Sequence, residues 1–448
     1  MSNYTTDQIL SMAPDTGSAK AGQGLASPGK WAALSCSETA VWGACQGSGS
    51  KPYEVMVDLG EPAFRCSCPS RKFPCKHGIG LMLIYANNRA SVTAAEVPAS
   101  VSDWLGKRGE KAEKKAVAVE APKTEAELAK SAAQQAKRAD QRRTRVAQGL
   151  DDLRLWLRDL VRQGISSLQS KSFQFWDEPA ARLVDAQAPG VARMLREMAS
   201  VPASGEGWQE RLLESLGLIT LLLEAYDRLD SLPEPVQADV RETIGWNVPQ
   251  QAVLAGEAVP DFWVVSGQRS YDEDQFRVTR TWLRGRDTSR DALSLQFTRP
   301  GQTMEEVLAP GMAFSAELVF FPGAWPMRAL VKERGPSGKM PDQLPADPDF
   351  SALLDRYSSA MAHNPWISVF PALLESVVPV LSGRTWNLQD NAGCILPVSR
   401  QFDQGYKLLA ISGGSPVELF GEWDGANLMP LSVLSKSRFV TLAQEVID

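Results

Sequence analysis

Four residues within twelve positions could do chemistry together: Cys66, Cys68, Cys75 and His77. They lie in the run Phe64-Arg65-Cys66-Ser67-Cys68-Pro69-Ser70-Arg71-Lys72-Phe73-Pro74-Cys75-Lys76-His77, a Cys-x-Cys and a Cys-x-His separated by six residues. Three soft thiolates and one imidazole suit a tetrahedral Zn2+ ion. Four protein ligands fill the tetrahedron and leave no position for water, so the metal is expected to be structural rather than hydrolytic. In such a site the binding energy of the metal is folding energy. An iron–sulfur or redox site is the competing use of these cysteines, but the two-residue spacings are tight for a redox disulfide.

The elements that must position these ligands are legible nearby. Tyr53, Val55, Val57 and Leu59 alternate along one strand face, and Gly60-Glu61-Pro62-Ala63 reads as a turn. Phe64, Cys66 and Cys68 then share one face of a second strand, because side chains two apart point the same way. Pro69 and Ser70 end that strand. From Gly78 the run Ile79, Leu81, Met82, Leu83, Ile84 and Tyr85 reads as a buried helix. Upstream, Gly43 to Lys51 reads as a turn-rich connection. It does not fit a phosphate-binding loop, since Lys51 is followed by Pro52 rather than by Ser or Thr opening a helix. Cys36 and Cys45 read as small apolar core groups, with Cys45 the nearest further thiol to the array.

The array resembles the SWIM-type zinc finger, whose motif is Cys-x-Cys, a variable gap and Cys-x-His. Cys66, Cys68, Cys75 and His77 match it one for one. The strand–strand–helix order also matches, and Val41 to Tyr53 looks like the equivalent stretch of bacterial SWIM proteins. The resemblance covers roughly residues 30 to 90. It implies zinc binding and contacts with DNA or protein. In bacteria it also implies a neighbourhood of MoxR-type ATPases and von Willebrand A proteins, hence an accessory role.

Arg65, Arg71, Lys72 and Lys76 surround the ligands, with Phe73 among them. Basic residues interleaved with an aromatic suit a nucleic-acid backbone. They equally offset the formal charge of about −1 that three thiolates leave on Zn2+. Both a protein partner and a nucleic acid therefore stay open, with a protein contact as the main expectation.

The chain has 448 residues, 44% of them hydrophobic and 22% charged, with a net charge of −6. That describes several globular domains rather than a bulk polyanion binder. No apolar run is long enough to span a bilayer, and the first residues lack the basic and apolar regions of a signal peptide. Six cysteines are too few for a secreted disulfide scaffold, so a cytoplasmic setting and no membrane contact are expected.

The expected fold class is α+β and multidomain. A zinc-finger domain occupies 1–90 and a basic linker with an exposed helix 91–145. A helical bundle follows at 146–248, then a C-terminal antiparallel sheet with helices at 249–448. Residues 91–102 read as a loop. Lys107 to Arg145 hold twelve Lys/Arg against six Asp/Glu, and Thr124 to Arg145 read as an exposed helix. Val146, Leu150, Leu153, Leu157 and Leu160 recur at helical spacing, and further helices are expected after Pro189, from Trp208 and after Pro233.

Beyond 249, strands are expected around Phe262, Phe276, Leu293, Phe314, Val417 and Leu428, and also at Tyr406 to Ile411. Helices are expected at 349–361 and from Asn364, where Asn-Pro resembles a helix start. Arg277, Arg280, Arg284 and Arg286 read as a solvent face with cross-strand ion pairs. His363 has no adjacent nucleophile, and no hydrolase, zinc-protease or dinucleotide motif is present. A non-enzymatic zinc-binding adaptor is the expectation, with a DNA- or RNA-binding protein as the alternative.

Overall fold

The computed structural model describes residues 4–14, 16–46, 51–60, 63–70, 72–106, 125–273, 275–299, 308–435 and 438–442. Among these, no helix is long and apolar enough to cross a membrane. The architecture is α+β: a sheet carrying the cysteine array, a helical bundle, and two further sheets.

The N-terminal unit is larger than two strands and a helix. Strands β1 (Trp31–Cys36), β2 (Ala40–Cys45), β3 (Tyr53–Asp58), β4 (Ala63–Cys66) and β5 (Thr93–Ala94) form one sheet in the order β4-β3-β2-β1-β5. Gly43 to Cys45, read as a connection, are thus part of a strand. Their pairing with Val55, Glu54 and Tyr53 supplies the backbone partners that a loop there would lack. Residues 91–102 are not a plain loop either. Thr93–Ala94 pair in parallel with β1, and a short helix over 99–106 lays Val101 against Ala40 and Met56.

Three further helices belong to this unit: α1 (Thr6–Ser11), α2 (Thr16–Gln23) and α3 (Lys76–Asn87). Every residue of α3 from His77 to Ile84 is buried. A helix apolar on all sides must be covered on all sides, and here it contacts β2, β3 and β4 as well as α1 and α2. The α2–α3 approach requires glycine, since a Cβ at Gly22 would fall 2.5 Å from Ile79 Cγ2.

The bundle comprises α4 (Glu125–Gln163), α5 (Phe173–Asp185), α6 (Pro189–Met198), α7 (Trp208–Asp227) and α8 (Glu234–Ile244). The basic helix and the leucine-spaced helix expected from the sequence are one continuous helix, α4. Helix α5 is not among the expected helices, since Pro179 lies inside it and removes an interior N–H. Burial of Trp176, Ala180 and Leu183 on one face holds it in place.

The C-terminal region has two packed sheets. Strands β6 (Ala258–Glu273), β7 (Phe276–Gly285), β8 (Asp291–Thr298), β9 (Ala313–Phe320) and β10 (Ala329–Ser337) run β10-β9-β6-β7-β8. This sheet bends until its ends meet, where Leu293 N donates to Met327 O at 2.7 Å. Strands β11 (Phe370–Ser382), β12 (Thr385–Asp390), β13 (Ile395–Pro397), β14 (Val417–Trp423), β15 (Leu428–Ser435) and β16 (Arg438–Thr441) form the other, ordered β13-β12-β11-β14-β15-β16. Helices α9 (Gln250–Leu254), α10 (Phe350–His363) and α11 (Gly405–Ser412) accompany them.

Strand β6 shows why the parts cohere. Val264 packs with the second sheet, whereas Trp263 and Val265 belong to the same apolar cluster as Ile9, Met12, Ile79 and Leu83 of the N-terminal unit. The bundle docks on the same body. Trp366 Nε1 donates to Leu218 O at 3.1 Å, and Arg328 pairs with Glu242 at 3.2 Å.

Three local expectations are corrected. Asn364 ends α10 as its C-cap instead of starting a helix, and Phe370 to Ser382 form the long strand β11. Tyr406 to Ile411 are helical, not a strand. The arginines of β7 are all paired with carboxylates, but two of them are not on a solvent face. Arg280 meets Glu422 of β14 at 2.6 Å, and Arg284 meets Asp291 at 3.0 Å with both side chains under a tenth exposed. Glu422 of the second sheet covers Arg280, and Arg284 also donates to Pro345 O at 2.9 Å; a single strand pattern carries no sign of that cover.

Candidate metal centre

The four ligand residues arrive from two elements joined by one short loop. Cys66 is the last residue of β4, so Cys68 falls just beyond the strand rather than within it. The pairing still extends one step. Ser67 N donates to Glu54 O at 2.9 Å, and Glu54 N donates to Ser67 Oγ at 2.9 Å. Cys75 is the N-cap of α3 and His77 sits in its first turn; the helix begins at Lys76, two residues before the start expected at Gly78. Strand period fixes the first pair and the helix entry fixes the second.

Their donor atoms converge. The three Sγ atoms and the imidazole nitrogen lie within 4.8 Å of one another. His77 Nδ1 is 3.7 Å from Cys66 Sγ and 3.8 Å from Cys75 Sγ. A zinc tetrahedron with bonds of about 2.3 Å to sulfur and about 2.0–2.1 Å to nitrogen has sulfur–nitrogen edges of about 3.6 Å. The donor set therefore fits Zn2+, with Nδ1 as the imidazole ligand atom. Cys75 and His77 are buried, while Cys66 and Cys68 are half-buried.

The thiols themselves call for a cation. The Cys75 thiol is held down at about 4, first by hydrogen bonding from Cys66, then by His77, the Gly78 amide and Cys68. Cys66 is correspondingly pushed up, first through its hydrogen bond to Cys75 and then by burial. Cys68 is raised too, chiefly by burial. One thiolate forms easily at the expense of its neighbours. Three together require positive charge among them, which a divalent metal supplies when bound.

Aromatic side chains wall the site. The Tyr53 ring lies 5.0 Å from the His77 ring, and Phe64 meets Phe73 edge-on at 6.1 Å. The signal for Tyr53 and Phe64 in the sequence is strand parity: Tyr53 shares a face with Val55, and Phe64 with Cys66. Cys36 and Cys45 are buried as expected, and neither joins the ligand group.

Of the basic residues near the ligands, Arg65, Lys72 and Lys76 are exposed, and Arg71 lies outside the described residues. His363 is distant from this chemistry. It closes α10, and its Nδ1 lies 2.8 Å from Ser359 O of the same helix, beside the Trp325 ring.

Two family models match the chain. Residues 53–86 match the SWIM zinc finger, and residues 141–244 match the SWIM-associated four-helix bundle domain. No curated protein and no solved structure matches it.

Proposed function

We propose that this SWIM-type zinc-finger protein is an interaction protein, an adaptor whose zinc holds a cationic tip in fixed orientation for an acidic partner protein. One observation carries the reading. The apolar surface of the finger is consumed within the molecule, because α3 is buried from His77 to Ile84. Among the described residues, no exposed large apolar side chain occurs before Leu155. What the finger offers outward is Arg65, Lys72 and Lys76 around Ser67, Pro69 and Ser70. Such a surface complements carboxylates and gives little to an apolar partner. Four protein ligands leave the metal no role in hydrolysis, so a non-enzymatic role follows for the finger. An accessory role beside an ATPase is one setting in which such an adaptor would work.

The same cations favour a second reading, DNA or RNA binding, helped by the exposed Arg143 and Arg145 of α4. Phosphate binding by several cations weakens steeply with salt. The discriminating experiment compares the wild type with an Arg65→Glu, Lys72→Glu, Lys76→Glu variant of unchanged zinc content. The adaptor reading expects the variant to lose protein partners retained by the wild type, with no duplex or single-stranded nucleic acid bound at low salt. Salt-sensitive nucleic-acid binding, lost in the variant, would establish the second reading instead. Unchanged partners would remove the tip from both.

A further inference from the structure

Among the described residues, nothing covers the outward side of helix α11. Of its eight residues only Lys407 is charged. Leu408 is buried where the helix lies against β11 and β15, yet Tyr406 is 71% exposed and Leu409 38%. A helix this apolar around its circumference is ordinarily covered on every side.

The neighbouring strands extend the apolar face. Trp386 of β12 meets Tyr406 edge-on, with ring centroids 5.3 Å apart. Gly405 is what lets the indole lie there, since a Cβ at that position would fall 2.0 Å from Trp386 Nε1. Leu381, paired with Trp386 across β11 and β12, is 42% exposed. Tryptophan and tyrosine packed at the centre of a patch are the residue types that dominate association energies. Contiguous exposed apolar area of this kind marks a contact surface.

The rim identifies the occupant. Arg384, in the turn just before Trp386, and Arg400 are both exposed. Arg400 lies two residues after Val398, whose N–H donates to the Trp386 carbonyl at 3.1 Å. Lys407, which donates to Gln404 Oε1 and Thr441 O, adds a third positive charge to this side against the one carboxylate of Asp403. A second copy docked through the same face would set these cations against one another, so the complement is anionic.

We propose that α11, with Trp386 and Leu381, is a docking surface for an acidic segment of a partner protein. The segment seats an apolar side chain beside Tyr406 and sets its carboxylates against Arg384 and Arg400. This surface lies in a different domain from the finger and stands without the reading given above. Failure of either leaves the other intact.

The test places p-benzoylphenylalanine at position 406 of the full chain and irradiates the cells that produce it. The expected product is a cross-link to another protein at a peptide rich in Asp and Glu. Its yield should fall about tenfold when Arg384→Glu and Arg400→Glu are added, equivalent to about 1.4 kcal/mol. The control position is Lys339, whose side chain is 87% exposed. Cross-links to lipid, to a second copy or to a neutral or basic peptide would overturn the proposal. So would a yield no higher than the control, or one indifferent to the charge reversals.

Discussion

The Gln8 side-chain amide donates a 3.0 Å hydrogen bond to the Gly311 carbonyl, 303 positions away. Gln8 belongs to the capping box of α1, and Thr6 of the same helix bonds Asn87 at the end of α3 at 3.0 Å. Gly311 in turn sits against the Phe439 ring of β16, where a Cβ would fall 2.8 Å away. Helix α1 is therefore a wedge between the helix that carries Cys75 and His77 and the C-terminal sheets. Ile9 and Met12 of this segment join the apolar cluster of Leu308, Met312 and Phe314.

Metal removal should consequently be felt beyond the finger. The ligands organise the entry of α3, α3 seats α1, and α1 covers part of the C-terminal core, so the finger and that core should loosen together. Hydrogen exchange after chelation is expected to accelerate in α1 and at 308–314 together with α3. Residues Leu212–Leu223 of the bundle should be unaffected. Acceleration confined to 53–86 would show that α1 does not transmit the loss.

Glu422 is 2% exposed and faces the other sheet. It accepts from Arg280 at 2.6 Å and from Trp282 Nε1 at 2.9 Å, with Arg269 at 3.7 Å. Removing one member of a buried pair strands the other charge. Glu422→Ala is expected to cost about 3–5 kcal/mol in denaturant unfolding. Glu422→Ala combined with Arg280→Met should recover a large part of that. A cost near zero for the single variant would mean water reaches Arg280.

The carboxyl of Asp239 is pushed up from the ordinary 3.8 to about 6, first by burial and then by the neighbouring Glu242. The Ala324 amide, which donates to Asp239 at 2.9 Å, opposes the shift, as does Asn364. A raised acid contributes stability that is fully present below about 3.9 and lost as pH rises through its folded value. Stability should therefore decline between about pH 4 and 6 at this junction of bundle and sheets. Asp239→Asn keeps an acceptor for Ala324 and should flatten that part of the profile. An unchanged slope would place the titration elsewhere.

Legibility in the sequence tracked the range of the forces involved. The metal site was readable because its ligands are local: Cys66 and Cys68 two apart, and Cys75 and His77 two apart at a helix entry. The leucines of α4 and α7 were readable for the same reason. What failed was set by distant cover. Tyr406 to Ile411 are apolar but for Lys407, a short run that fits a strand or a helix equally, and it is as a helix that Gly405, Leu408 and Ser412 share one buried face. Asn364 carries a start signature yet ends α10, because the chain turns there to place Trp366 against Leu218 and then runs into β11. Arg280 and Arg284 look like surface cations until β14 and the carboxylates of Glu422 and Asp291 are set beside them.

The most direct measurement is the zinc content of the purified full chain, for the wild type and for Cys68→Ser, by elemental mass spectrometry. A site closed by Cys66, Cys68, Cys75 and His77 predicts one zinc per wild-type chain and markedly less in Cys68→Ser. Equal zinc in the two proteins would contradict the ligand assignment on which the account rests.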